Sequence, residues 1–100
     1  MLDKLAGIEE RYIEIDQLLA EVGDNYQRAA ELAMERAELE SIVSRARAYR
    51  QALDRLAEAR ELLNSEDEEL SILAQAEIDE LEPKIEQVEK EIKSLLLPSD

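Results

Sequence analysis

Apolar residues recur along this chain at intervals that alternate between three and four, and three such series can be followed. Leu5, Ile8, Tyr12, Ile15, Leu19 and Val22 form the first, which predicts an amphipathic helix over about residues 2–21. The second runs Leu32, Leu39, Ile42, Ala46, Tyr49, Leu53, Leu56 and Leu63, with Arg60 filling one slot. It predicts a helix over about 25–63, roughly 57 Å long at 1.5 Å per residue. The third comprises Ala74, Ile78, Leu81, Ile85, Val88, Ile92 and Leu95, and predicts a helix over about 66–97. Pro83 lies inside that series without shifting its phase. Proline removes the hydrogen bond to the Asp79 carbonyl and crowds it, so one helix kinked at Pro83 is expected rather than two.

The segments between the series carry turn and cap chemistry. Gly23 suits the left-handed residue that ends a helix. Asp24 would then cap the second helix, with Gln27 three residues on completing a capping box. Ser65 and Glu68 form a similar pair before the third helix, and Asp3 favours the start of the first. Gly7 weakens the first helix by roughly 1 kcal/mol relative to alanine, which its apolar series should absorb. Connections this short place successive helices antiparallel. The fold class is therefore all-α: an elongated antiparallel three-helix bundle or coiled coil. It forms a single helical domain over 1–97, with Pro98-Ser99-Asp100 as the start of a linker to domains absent from the chain.

Composition supports long charged helices. The charged fraction is 38% and the hydrophobic fraction 45%, with three tyrosines as the only aromatic residues. Much of the apolar content is alanine, which suits close helix packing and leaves little for a deep ligand pocket. The net charge of −14 disfavours general nucleic-acid binding and anionic membranes alike. No cysteine is present, so disulfide and zinc–thiolate chemistry are excluded. Neither a signal peptide nor an apolar run of membrane-spanning length can be found, and a cytoplasmic location is expected.

Catalytic chemistry lacks its usual parts. Without histidine or cysteine, no Ser–His or Cys–His nucleophile and no Glu-x-x-His di-iron site can be assembled. The only glycines, Gly7 and Gly23, cannot form a phosphate-binding loop. Glu66, Asp67, Glu68 and Glu69 crowd the start of the third helix, where the macrodipole favours negative charge; the alternating ligands and central glycine of a calcium loop are missing. No enzyme activity, cofactor, metal or small-molecule ligand is expected.

One feature opposes the general charge. Between Ser41 and Arg60 stand Arg45, Arg47, Arg50, Arg55 and Arg60 against Asp54 and Glu58, a local net charge of +3. From Glu66 to Glu82 there are eight acids and no base. The simplest reading is pairing, either between helices or along one, as in Arg50 with Asp54 and Arg36 with Glu40. The alternative is a small basic patch at Arg45, Arg47 and Arg50 that meets RNA phosphate or an acidic protein.

Longer stretches resemble a known family. The opening MLDKLAGIEERYIEIDQLL, AELESIV at 37–43, YRQALDRLAEARELL at 49–63 and IDELEPKIEQVEKEIKSLLLP at 78–98 are similar, in that order, to the N-terminal helical domain of bacterial class I peptide chain release factors of the UAA/UAG-reading type. The likeness covers essentially the whole chain. The short turn Val22-Gly-Asp-Asn25 departs from it, since many members carry a longer loop there. The resemblance implies a non-catalytic domain acting in translation termination, docked on rRNA and protein at the stalk-base, GTPase-associated region of the large ribosomal subunit. The family's Pro-x-Thr codon-reading tripeptide and Gly-Gly-Gln loop do not occur here, so no catalytic or codon-reading residue is carried over. Arg45, Arg47 and Arg50 are candidate ribosome contacts on the charge argument alone. As an isolated domain the chain is expected to be a monomer or weak dimer. A free-standing acidic coiled-coil adaptor for partner helices is the competing reading, and it would dimerise through an uncovered stripe.

Overall fold

In the computed structural model, which describes residues 1–98, three helices follow one another: α1 (Leu2–Glu21), α2 (Tyr26–Leu62) and α3 (Glu68–Leu96). No strand occurs among the described residues. The expected all-α helical class and all three segments are therefore observed, with ends within two residues of expectation. The linker expected at 98–100 lies largely outside the described residues, since only Pro98 is among them. Two compact units divide the chain, Met1–Ala46 and Arg47–Asp100, and α2 contributes to both.

In the first unit α1 turns back on α2 through Gly23, whose φ of +58° is in the left-handed region that penalises any side chain. The turn closes with Asn25 N–H donating to the Val22 carbonyl. The cap of α2 falls one residue later than expected. Asn25, not Asp24, accepts a hydrogen bond on its side chain from Arg28 N–H at 3.0 Å. Gln27 consequently sits at the second helical position and cannot complete a capping box. At α1 the residue before the helix is Met1 with no side-chain cap, and Asp3 lies within the first turn. Leu5, Tyr12 and Ile15 of α1 and Leu32, Ile42, Val43 and Ala46 of α2 are buried, while Ile8 and Leu19 are half-buried.

In the second unit α2 ends in a turn where Ser65 N–H donates to the Leu62 carbonyl. The expected Ser65–Glu68 box is replaced by an Asp67 cap, whose carboxylate accepts from Glu69 and Leu70 N–H groups. Ser65 Oγ instead accepts from Asp67 N–H and holds the cap residue in place. Asp67 wins because its position leaves two free backbone donors within reach, and its charge meets the positive end of the helix. Ser71 Oγ donates to the Leu63 carbonyl at 2.9 Å, tying the first turn of α3 to the end of α2.

The stripe of α2 differs from expectation in its second half. Arg60 is exposed and Ala59 is buried instead, with Ala52 also buried beside the half-buried Leu53. An alanine admits close backbone approach, which leaves the guanidinium of Arg60 free to face outward. On α3, Ala74, Ile78, Leu81, Ile85 and Ile92 are buried as expected, Val88 is half-buried and Leu95 is exposed. α3 is one helix with Pro83 inside it. At about 100° per residue, Pro83 falls opposite the line through Ala74, Ile78, Leu81 and Ile85. Water can therefore reach the Asp79 carbonyl that Pro83 leaves without a donor.

Candidate functional site

The candidate contact residues Arg45, Arg47 and Arg50 all project from α2. Arg47 and Arg50 are three apart, the spacing that brings side chains to one face of a helix, whereas Arg45 and Arg47 are two apart and diverge. Spacing along the helix thus brings two of the three to one face. Arg47 is exposed, and Arg45 and Arg50 are half-buried. Arg45 Nη1 donates to Ser41 Oγ at 3.0 Å and to the Ser41 carbonyl at 3.4 Å, which holds the side chain back along its own helix. All three arginines take part in interactions within the chain, so a ligand phosphate would compete with them.

The neighbouring arginines have acidic partners across the hairpin. Arg55 donates to Glu77 from Nη2 at 2.7 Å and from Nε at 3.1 Å, and Arg60 stands 3.9 Å from Glu82. The acidic run of α3 therefore lies beside this part of the α2 arginines, as the pairing reading requires. Arg36 is paired too, but between helices and not with the partner expected along α2. Its Nε donates to Asp16 across the first hairpin at 2.6 Å, and its guanidinium lies 4.5 Å from the centre of the Tyr12 ring. Glu40, the partner expected along α2, adds only the field of its charge.

Two further ionic clusters escape a reading along single helices. Arg11 holds Glu35 through bonds of 2.6, 3.0 and 3.1 Å and Glu14 at 2.9 Å. The hydrogen bond with Glu35 is the main cause raising the Arg11 pKa, and the same bond lowers that of Glu35. In the second unit Tyr49 O–H donates to Glu89 at 3.4 Å, and Lys93 Nζ stands 2.9 Å from Glu89. Burial, then the Glu89 charge, pushes the Tyr49 hydroxyl above its ordinary value, while Lys93 draws Glu89 down. Each cluster joins positions 24 or 40 residues apart. Only the register of the hairpins could reveal them, and spacing along one helix does not contain it.

Chemically these arrangements are ion pairs and hydrogen bonds that tie one helix to the next. No group of acids able to hold a metal ion is found among the described residues. No buried polar side-chain atom lacks a partner among them. A shallow open hollow beside the first turn is lined by Leu18, Glu21, Val22, Asn25, Arg28 and Leu32, a mixture without a convergent reactive group. No described helix is long and apolar enough to cross a membrane.

A family model described as "PCRF domain" matches residues 8–100. The chain is 41% identical over 102 residues to "Peptide chain release factor 1" of Anaeromyxobacter dehalogenans, which covers all of this chain and 28% of the relative. It is 43% identical over 100 residues to the protein of the same name from Nitratiruptor sp., covering 98% of this chain and 28% of the relative. Over 106 residues it is 41% identical to the corresponding Clostridioides difficile protein, covering 100% and 29%. The chain thus spans between a quarter and a third of the length of these relatives. No solved structure matches it.

Proposed function

The chain belongs to the PCRF domain family, and from that premise we propose that it is the non-catalytic N-terminal helical domain of a peptide chain release factor acting in translation termination in the cytoplasm. The observation that carries this reading is likeness to release factors along the entire chain, at about two residues in five. In this reading, stop-codon recognition and peptidyl-tRNA hydrolysis belong to parts of the factor outside these residues. The domain's task is to dock at the stalk-base, GTPase-associated region of the large ribosomal subunit.

Arg47 and Arg50, supported by Arg45, are the residues we assign to contact with rRNA phosphate. A guanidinium pairs with phosphate through two parallel hydrogen bonds, and three of them make a contact of limited extent on a chain that is otherwise repelled by RNA. The repulsion is itself useful, because it keeps the domain from settling on arbitrary RNA. Exchanging Arg45, Arg47 and Arg50 together for glutamate in the complete factor tests the assignment. Ribosome affinity should fall at least about tenfold, and more steeply at low salt. Unchanged binding and unchanged termination rate would dismiss the arginines as the contact.

A further inference from the structure

The start of α3 presents an apolar face that the fold does not use. Ile72 and Leu73 are 62% and 65% exposed, and Ala76 is exposed beside them. At about 100° per residue these three fall on the side of α3 away from the buried line through Ala74, Ile78 and Leu81. Two isoleucine- and leucine-sized side chains on adjacent positions thus leave most of their surface in water. Solubility alone would favour polar residues there, so the patch calls for an occupant.

The surroundings say what kind of occupant. Glu69 precedes Ile72 by three positions and Leu73 by four, and Glu80 follows Ala76 by four, so both carboxylates border the same face. Glu68, Glu69 and Glu80 have no ion pair among the described residues, whereas Glu77 and Glu82 of the same run are taken by Arg55 and Arg60. We propose that this face of α3 docks a basic amphipathic helix of another protein. Aliphatic side chains of the partner would cover Ile72, Leu73 and Ala76, while flanking lysines or arginines would meet Glu69 and Glu80. RNA is repelled by the eight acids between Glu66 and Glu82. A second copy packed face to face would set Glu69 and Glu80 against their own counterparts. The inference stands independently of the arginines on α2.

The test uses the 100-residue chain and a synthetic 18-residue helix of leucine and lysine in amphipathic order. Its controls are a scrambled peptide of the same composition, an RNA hairpin and sedimentation of the chain alone. The amphipathic peptide should bind and perturb the amide resonances of Glu69, Ile72, Leu73, Ala76 and Glu80. Ile72→Ser with Leu73→Ser should weaken it by about tenfold or more, as losing two buried aliphatic contacts requires. Glu69→Gln with Glu80→Gln should weaken it less and flatten its salt dependence. Both pairs of positions are exposed, and circular dichroism confirms that each variant remains helical; should the serine pair unfold, the glutamine pair still decides. Equal binding of the scrambled peptide, perturbations elsewhere, insensitivity to both pairs, preferred binding of RNA at this face, or its occlusion in a dimer would each overturn the proposal.

Discussion

Leu5, Ile15 and Ile92 have no exposed surface, and stability should respond to them more than to any charge. Removing most of such a side chain loses its transfer free energy and leaves a cavity, so Leu5→Ala or Ile92→Ala should cost about 2–4 kcal/mol in urea unfolding. Met34, 67% exposed on α2, is the control: Met34→Ala should stay within about 0.5 kcal/mol of the parent. Glu35 provides the pH-dependent counterpart. The hydrogen bond from Arg11 lowers its pKa in the folded state, with the Arg11 charge assisting and partial burial opposing. A carboxyl depressed by folding stabilises the fold at pH values above its unfolded pKa, about 4.3, and that contribution disappears as pH falls through the lower folded value. The melting temperatures of the parent and of Glu35→Gln should therefore differ at pH 7 and converge as the pH falls through the depressed folded value. A gap that widens on acidification would show that Glu35 is held by something other than its charge. Both side chains are more than a third exposed, so the gap at pH 7 will be small.

At the scale of the helix, caps and proline distinguish what sequence spacing predicts from what the fold selects. The three apolar series locate the helices because burial of a stripe is encoded in spacing, and Ala59 replaces Arg60 only because two adjacent positions compete for one slot. Cap identity was less legible. Asp24 and Asn25 are both good caps, as are Ser65 and Asp67, and the choice depends on where the turn closes. Asn25→Ala and Asp67→Ala should each cost about 1 kcal/mol, whereas Asp24→Ala should cost almost nothing; chemical denaturation separates them. Ser65→Ala should fall between, since Ser65 holds Asp67 rather than the helix itself. Pro83 lies on the outer side of α3 and its missing N–H leaves the Asp79 carbonyl to water. Pro83→Ala restores that bond and a better helix former while loosening the unfolded chain, so a net gain of about 1 kcal/mol is expected. The site was legible only in part. Arg45, Arg47 and Arg50 stand out as local charge in the sequence, but Arg36 with Asp16 and Arg55 with Glu77 depend on hairpin register. Ile72 and Leu73 were hidden inside an Ile-Leu-Ala run from which a stripe reading takes only Ala74.

For the molecule as a whole, the dominant electrostatic fact is the net charge of −14. Folding gathers these charges into a smaller volume, and their mutual repulsion works against the native state. Salt acts on two opposing contributions. It screens the repulsion, which extends over many pairs at long range, and it weakens ion pairs such as Arg36 with Asp16 and Arg55 with Glu77, at 2.6 and 2.7 Å. The second effect is bounded, because exposed pairs are worth only about 0–1 kcal/mol each and direct contact leaves little room for screening ions. Shortening the Debye length from about 30 Å to below 10 Å removes most of the first effect. Sodium chloride raised from about 0.01 to 0.2 M should therefore increase the melting temperature by several degrees, since about 1 kcal/mol corresponds to roughly 4–8 °C for a domain of this size. Arg55→Gln should melt lower than the parent and gain at least as much from salt, because it removes an attraction and leaves the chain one charge more negative. If melting temperature instead fell with salt, the cross-hairpin pairs would outweigh the repulsion. The acidic run of α3 would then serve the fold chiefly as a partner for the α2 arginines.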